Sequence, residues 1–465
     1  MMIVSYKWLQ TYFDKPLPLI DEVADLLTFH VFEIERVEGD MIEVNVLPDR
    51  AAYGLSHRGI AKELSVILKI PLKKDPLREK PITGVTPKNL HITIDKEYVR
   101  RHLGAIVQNI RVGPSPQWLK EALEAVGQRS INNIVDATNY VMLNIGQPLH
   151  AFDADTIERD GGKMRIDIRK ATEGEEIQVL TGEEYVLSED MYVISDGTSG
   201  KALDIAGLKG GMESGVTEST KNLFISVGNY HPVRMRKMSQ KLKLFTDASL
   251  RYQNNPSPDL NAYGMRDILA LITEIAEGEV KEVVDEYPNK AGVVSVTVSL
   301  SRINELLGTT YEGKDVEPVF TLLDFEFTKQ GEEYTVIAPF ERRDILIAED
   351  VIEEVGRLIG YESIAPMMLS KKGIEIDQAH FRGIERVKDE LVAQGFTEIS
   401  TPSFAVKGDI KLTNPIDTSR PFLRSTLKEN MTHAMNAAKH VAPSLGIEKV
   451  KLFEVGTVFT KDGER

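Results

Sequence analysis

The sequence predicts a multidomain α+β protein. Three observations carry that reading. Its 465 residues correspond to three or four domains at roughly 100–150 residues each. Apolar–polar alternation at Met41–Leu47 and Val293–Leu300 marks half-buried strands, while Ile60, Leu64, Ile67 and Leu68 recur on one face of a helix. Strand-like and helix-like runs then follow one another with no internal repeat and no low-complexity tract.

Composition narrows the class. Hydrophobic content of 42% and charged content of 27% are those of an ordinary soluble globular chain. No apolar run approaches the roughly 20 residues of a membrane span. The opening MMIVSYKWLQTYFDK has neither the basic start nor the cleavage site of a signal peptide. The absence of cysteine excludes disulfide frameworks and thiolate metal sites, so a cytoplasmic location is expected. A net charge of −15 argues against a general nucleic-acid binder, because phosphate affinity rests on Lys and Arg. Basic residues cluster only locally, at Arg234, Arg236, Lys237, Lys241 and Lys243.

Residues 1–74 read as an N-terminal α/β domain. An amphipathic run begins at Glu22, Met41–Leu47 is a strand, and Pro48-Asp49-Arg50-Ala51 turns into the helix bearing Ile60 and Leu64. Residues 75–86, rich in Lys, Pro and Glu, read as a linker. Residues 87–286 form a large mixed module. In it QWLKEALEAVGQ is a helix ending near Gly127, and KMRIDIRKA and MYVISDG are strands. The glycines of IAGLKGGMESGV let the backbone approach a ligand closely. Residues 291–366 form a small α/β domain with helices at SRINELLG and EDVIEEVGRLIG. Residues 372–465 begin with the helix FRGIERVKDELVAQG and the strand TEISTPSF.

Two stretches concentrate polar chemistry. Ile131–Asp153, INNIVDATNYVMLNIGQPLHAFD, gathers Asp136, Thr138, Asn139, Gln147, His150 and Asp153 around a short apolar segment and the Gly146-Gln147-Pro148 turn. Such a cluster lines a pocket or satisfies itself within a loop. In RRDILIAEDVIEEVGRLIGY, Val351, Ile352, Val355, Leu358 and Ile359 make an apolar helical stripe. Asp350, Glu353, Glu354 and Arg357 then share another face, with Asp344 one short loop upstream. All-oxygen ligands of this charge suit a hard cation such as Mg²⁺. A solvated acidic face at a helix N-terminus, favoured by the helix dipole, fits the same spacing.

The Ile131–Asp153 string closely resembles the start of the editing module in the β subunit of bacterial phenylalanyl-tRNA synthetase. Pro48–Ala51 resembles the N-terminal domain of that family, and Arg342–Tyr361 resembles its acidic helix. GFTEISTPSF and KLFEVGTVF resemble the first signature and the strand into the second signature of class II synthetases. The resemblance implies four domains in order, ending in a partial antiparallel-sheet domain of class II synthetase type. It implies a subunit of phenylalanine–tRNA ligase that supports ATP-dependent charging of tRNA(Phe), together with an α subunit in an α2β2 heterotetramer. Editing, the hydrolysis of tyrosine from mischarged tRNA(Phe), maps onto Thr138, Asn139, His150, Ala206, Gly207, Ser226, Thr246 and Ala248. Mg²⁺, shared with the α subunit, maps onto Asp344, Asp350, Glu353 and Glu354.

The chain also departs from the family pattern. Val37 to Asp49 leaves no room for the oligonucleotide-binding barrel that the usual bacterial subunit inserts there. Ser226 stands where the family places a glutamate that reads the tyrosine hydroxyl, and KLKLF replaces an Arg, a His and a Gly before Thr246. Thr460-Lys461-Asp462 follows Phe459 where an active class II enzyme carries an arginine and a glutamate, so no adenylation site is expected in this domain. The sequence stops at Arg465 inside that domain, as expected of a C-terminally shortened β subunit, whether fragment or split gene. A stand-alone deacylase of mischarged tRNA and a scaffold subunit with a decayed pocket are the other readings.

Overall fold

A computed structural model describes residues 1–84, 86–368, 373 and 377–465. It divides into two compact units, Met1–Pro366 and Met367–Arg465.

In the first unit the chain opens with a three-stranded sheet in the order Met2–Ser5, Met41–Asn45, Glu33–Glu38. Helices Ile20–His30 and His57–Leu68 cover it. Gly39 and Asp40 join the last two strands, with Gly39 at φ 59, where a side chain would be strained. Ser56 caps the second helix by accepting from Gly59 N–H. The fully buried His57 stacks on Trp8 with 3.8 Å between centroids, and Trp8 stacks on Tyr140 at 4.6 Å. The N-terminal core is thereby continuous with Leu119, Leu123, Met142 and Leu143 of the following module. The start of the 75–86 stretch, expected to be a linker, is anchored instead. Asp75 accepts from Leu77 N–H, Arg58 pairs with Asp75, and Leu77 is buried.

The large module packs two sheets. One has the order Glu279–Glu286, Val99–Gln108, Leu223–Tyr230, His150–Asp153, with each neighbouring pair antiparallel. The other runs Lys209–Gly210, Ala202–Ile205, Tyr192–Asp196, Lys163–Lys170, Leu90–Ile94, and its last pair is parallel. Between the sheets lies an apolar layer that includes Phe152, Phe224, Ile166, Ile194 and Met235.

The Ile131–Asp153 string is a helix followed by a strand, so its polar residues do not form one cluster. Asn132 caps helix Asn133–Ile145 by accepting from Ile134 and Val135 N–H, and Gly146 at φ 85 ends it. Asp136 is spent on Ser115 and Ser130 hydroxyls and on Ile131 N–H. Gln147 donates to the carbonyls of Pro148 and Gly228. The 3.6-residue period distributes these side chains around the helix, so most of them hold the backbone in place. The polar side chain the string delivers to the sheet interface is His150, beside Phe152.

The small domain carries the sheet Ser295–Ser299, Glu333–Ile337, Glu326–Gln330, backed by helices Leu300–Leu307, Gly313–Leu322 and Ala348–Ile359.

In the second unit Thr397–Glu398 pairs in parallel with Leu452–Phe453, which joins the two stretches resembling class II signatures. Glu454 accepts from Thr401 N–H and hydroxyl and pairs with the buried Arg424 at 2.8 Å. Phe459–Thr460 forms a hairpin with Gly463–Glu464, and Thr460 donates to Gly463 O.

Candidate functional site

Several of the residues implied for editing flank a mostly buried polar patch, the chamber, between the two sheets of the large module. His150 and Ser226 are directly opposed across neighbouring strands, so their side chains leave the same face. His102 and Gly228 are opposed two positions further along, on the same face. Ser226 Oγ lies 3.2 Å from His102 Nε2.

The facing wall is the Ala202–Ile205 and Lys209–Gly210 hairpin. Tyr98 donates its hydroxyl to Ala206 O at 2.8 Å, and Thr246 donates to Leu208 O at 3.2 Å. Thr246 also caps helix Asp247–Gln253 reciprocally with Ser249, and this positions the half-buried Ala248. Gly207 sits at φ 78, and a Cβ there would lie 2.5 Å from Met235 Cε and 2.7 Å from the Tyr230 ring. A Cβ on Gly210 would lie 2.5 Å from His150 Nε2. The glycines are therefore required by close approach. Tyr98, Tyr230 and Tyr252 complete an aromatic lining, with Tyr98–Tyr230 stacked at 4.9 Å and Tyr230–Tyr252 edge-to-face at 4.9 Å. Tyr252 donates to Pro148 O, two residues before His150.

Two implied residues stand apart in role. Thr138 turns its hydroxyl onto Val135 O of its own helix, and Asn139 is half-buried beside it. Two residues that the sequence reading missed belong to the chamber, His102 and Asp204. Asp204 is 5% exposed and sits between Leu203 and Ile205 in an otherwise apolar strand, which was the available signal.

Burial sets the electrostatics. It lowers His150 to about 4 and His102 to about 3, and raises the Asp204 carboxyl to about 8. All three are uncharged at neutral pH. Such a lining recognises neutral hydrogen-bonding groups. A base near 4 abstracts protons weakly, so His150 orients a water or a substrate group better than it ionises one.

The acidic helix has a different character. Glu354 is 1% exposed and pairs with Arg50, Arg342 and Arg357. Arg342 grips Asp344 at 2.5 Å, Arg50 takes Glu353 at 2.6 Å, and Arg357 reaches Glu63 at 2.9 Å. Asp350 accepts from the N–H groups of Leu346 and Ile347, closing the turn into the helix. Burial alone would raise the Glu354 carboxyl, but Arg342, Arg357 and Arg50 hold it well below the usual carboxylate range. Among the described residues no group of three or more His, Cys, Asp or Glu is placed to hold a metal ion. The donors implied for Mg²⁺ are already committed to guanidinium groups and backbone, so this arrangement does not fit the ion. The spacing places Asp350, Glu353, Glu354 and Arg357 as the sequence suggests, but Glu354 and Arg357 face Arg50 and Glu63 of the N-terminal domain and are closed off from solvent.

Family models match three regions: the B3/4 domain over residues 98–277, the tRNA synthetase B5 domain over 296–361, and the phenylalanyl tRNA synthetase beta chain CLM domain over 366–465. Curated relatives named phenylalanine–tRNA ligase beta subunit include one from Carboxydothermus hydrogenoformans, 33% identical over 93% of this chain and 55% of its own length. One from Protochlamydia amoebophila is 32% identical over 91% and 54%, and one from Rhodopirellula baltica is 31% identical over 96% and 65%. A solved N-terminal fragment of the phenylalanyl-tRNA synthetase beta subunit from Pyrococcus horikoshii aligns at 17% identity with a TM-score of 0.44, covering 77% of this chain and 99% of that one. The B3/4, B5 and CLM domains in this order define a tRNA synthetase subunit of multidomain type. The chain belongs to the phenylalanyl-tRNA synthetase beta-chain family. It spans about half the length of the first of these curated relatives.

Proposed function

We propose that this chain acts as the β subunit of a phenylalanine–tRNA ligase and carries an editing site for tyrosyl-tRNA(Phe). In the assembled enzyme, an α2β2 heterotetramer in the cytoplasm, ATP-dependent adenylation of phenylalanine belongs to the α subunit. ATP and Mg²⁺ serve that reaction, and no step is routed through a metal held by this chain.

Support for the editing reading comes from the uncharged His150–Ser226 pair, with Thr246 bonded to Leu208 O and Gly207 against Tyr230, within the region matching the B3/4 domain. A synthetase pocket for an apolar side chain rejects an added hydroxyl weakly, so a second site must read that hydroxyl with polar groups. Water attack on the ester carbonyl requires an oriented water and donors for the developing oxyanion. His150 would supply that orientation.

A partner is supported by the second unit. Helix Ala379–Ala393 has no buried residue, and Phe381, Val387 and Val392 are 64%, 55% and 55% exposed. Such apolar exposure on one helix fits a surface covered by more of the domain or by a partner subunit.

The test is co-expression with a class II α subunit. Phenylalanine-dependent ATP–pyrophosphate exchange and deacylation of tyrosyl-tRNA(Phe) by the complex are expected. A stable complex that shows neither activity would overturn the reading.

A further inference from the structure

Three buried side-chain atoms border the chamber without a hydrogen-bond partner among the described residues: His102 Nδ1, His150 Nε2 and Asp204 Oδ1. Buried polar atoms left unpaired are uncommon, because each is destabilising. Three around one space point to a ligand that supplies the missing partners. Asp204 is the most informative of them, since the strand register fixes its direction. Asp204 and Gly210 are directly opposed in an antiparallel pair, so their Cβ directions leave the same face roughly 5 Å apart. The Gly210 Cβ direction runs into His150 Nε2. The carboxyl and the imidazole nitrogen therefore border the same space.

We propose that Asp204 is a specificity-determining residue of this chamber, its carboxyl and His150 Nε2 together receiving a hydroxyl on the side chain of a bound aminoacyl ester. The inference rests on the reading of the module as an aminoacyl-ester hydrolase. Burial keeps Asp204 protonated at neutral pH, so its O–H donates. Burial keeps His150 neutral, and with its proton on Nδ1 its Nε2 accepts. A hydroxyl both accepts and donates, so a phenol satisfies the two at once. A phenyl ring leaves both unpaired, which is how a site built to hydrogen-bond a hydroxyl rejects the analogue lacking it.

The test uses the full chain and two hydrolysis-resistant probes, adenosine carrying tyrosine or phenylalanine through a 3′-amide. Binding is measured by calorimetry at neutral pH for the wild type, Asp204→Ala and Asp204→Asn. The wild type is expected to prefer the tyrosyl probe by about tenfold or more. Asp204→Ala loses that preference while keeping its affinity for the phenylalanyl probe. Asp204→Asn retains most of it, because its amide N–H still donates. Both variants remove a buried unpaired carboxyl, so both are expected to melt no lower than the wild type. An unchanged tyrosyl preference in Asp204→Ala overturns the role of Asp204 and leaves the hydrolase reading standing. A wild type that binds neither probe overturns both.

Discussion

At the scale of single residues, the chamber is built on the absence of side chains as much as on their presence. A methyl group at Gly210 collides with His150 Nε2, and one at Gly207 meets Met235 and Tyr230 in a backbone conformation that disfavours any side chain. Gly210→Ala is therefore expected to displace His150 and lower tyrosyl-tRNA(Phe) deacylation by about 100-fold, because sub-ångström misplacement of an orienting group is enough for that loss. Single-turnover hydrolysis checks it, with the melting temperature as the folding control. His150, Ala206, Gly207, Ser226 and Thr246 enter the proposed site through the motifs they resemble. Asp204 and His102 were not, because neither lies in a motif and only the register of paired strands brings them to the same space. The lost glutamate at Ser226 was readable. The carboxyl facing the chamber at Asp204 was invisible until Gly210 was seen beneath His150.

Among elements, helix Ala348–Ile359 shows how spacing fixes a face without fixing what covers it. The period correctly aligned Asp350, Glu353, Glu354 and Arg357, but it had no information on Arg50 and Glu63, nearly 300 residues earlier in sequence, which close that face. The helix acts as an ionic bolt between the small domain and the N-terminal domain. Glu354→Ala strands Arg50, Arg342 and Arg357 around an empty anion position and is expected to destabilise the chain by about 3–5 kcal/mol. Asp350→Ala removes only a turn-closing acceptor and should be destabilising by about 1 kcal/mol. Chemical denaturation separates the two. Addition of EDTA to the isolated chain should reproduce neither effect, because the carboxylates already carry arginine partners; a comparable EDTA-induced loss would restore a metal to this helix. The helix Asn133–Ile145 carries a parallel lesson. Its string reads as a turn-rich cluster because of its polar residues, yet Asn132 and Gly146 are a cap and a terminator, and most of the polar groups between them serve the backbone.

For the whole molecule, buried neutral groups bound the pH range of stability on both sides. His57, His102 and His150 keep folded pKa values of about 3, 3 and 4 against 6.5 in the unfolded chain. Their contribution is complete above about pH 6.5 and is lost as pH falls towards 4, at roughly 4 kcal/mol per pH unit when all three titrate. Asp204 works in the opposite sense. It holds its proton up to about 8 when folded against 3.8 unfolded, so its contribution is present in acid and declines as pH rises from 4 to 8. Urea melts of the first unit are expected to weaken steeply below pH 6. Asp204→Asn is expected to flatten the decline between pH 6 and 8. The order of domains was legible from the motifs, whereas the fusion of the first three into one unit was not, since it depends on stacked rings at Trp8, His57 and Tyr140 and on ion pairs far apart in sequence. One place escapes that fusion. The Gly39–Asp40 turn is open at Gly39, with nothing within 4 Å of where its side chain would point, while Asp40 accepts from Ser5, Tyr6 and Lys7 and the strands on either side are firmly paired. It is a socket: a foreign domain whose own ends lie close together could be spliced in there as cargo, leaving the core and the chamber unaware of the passenger.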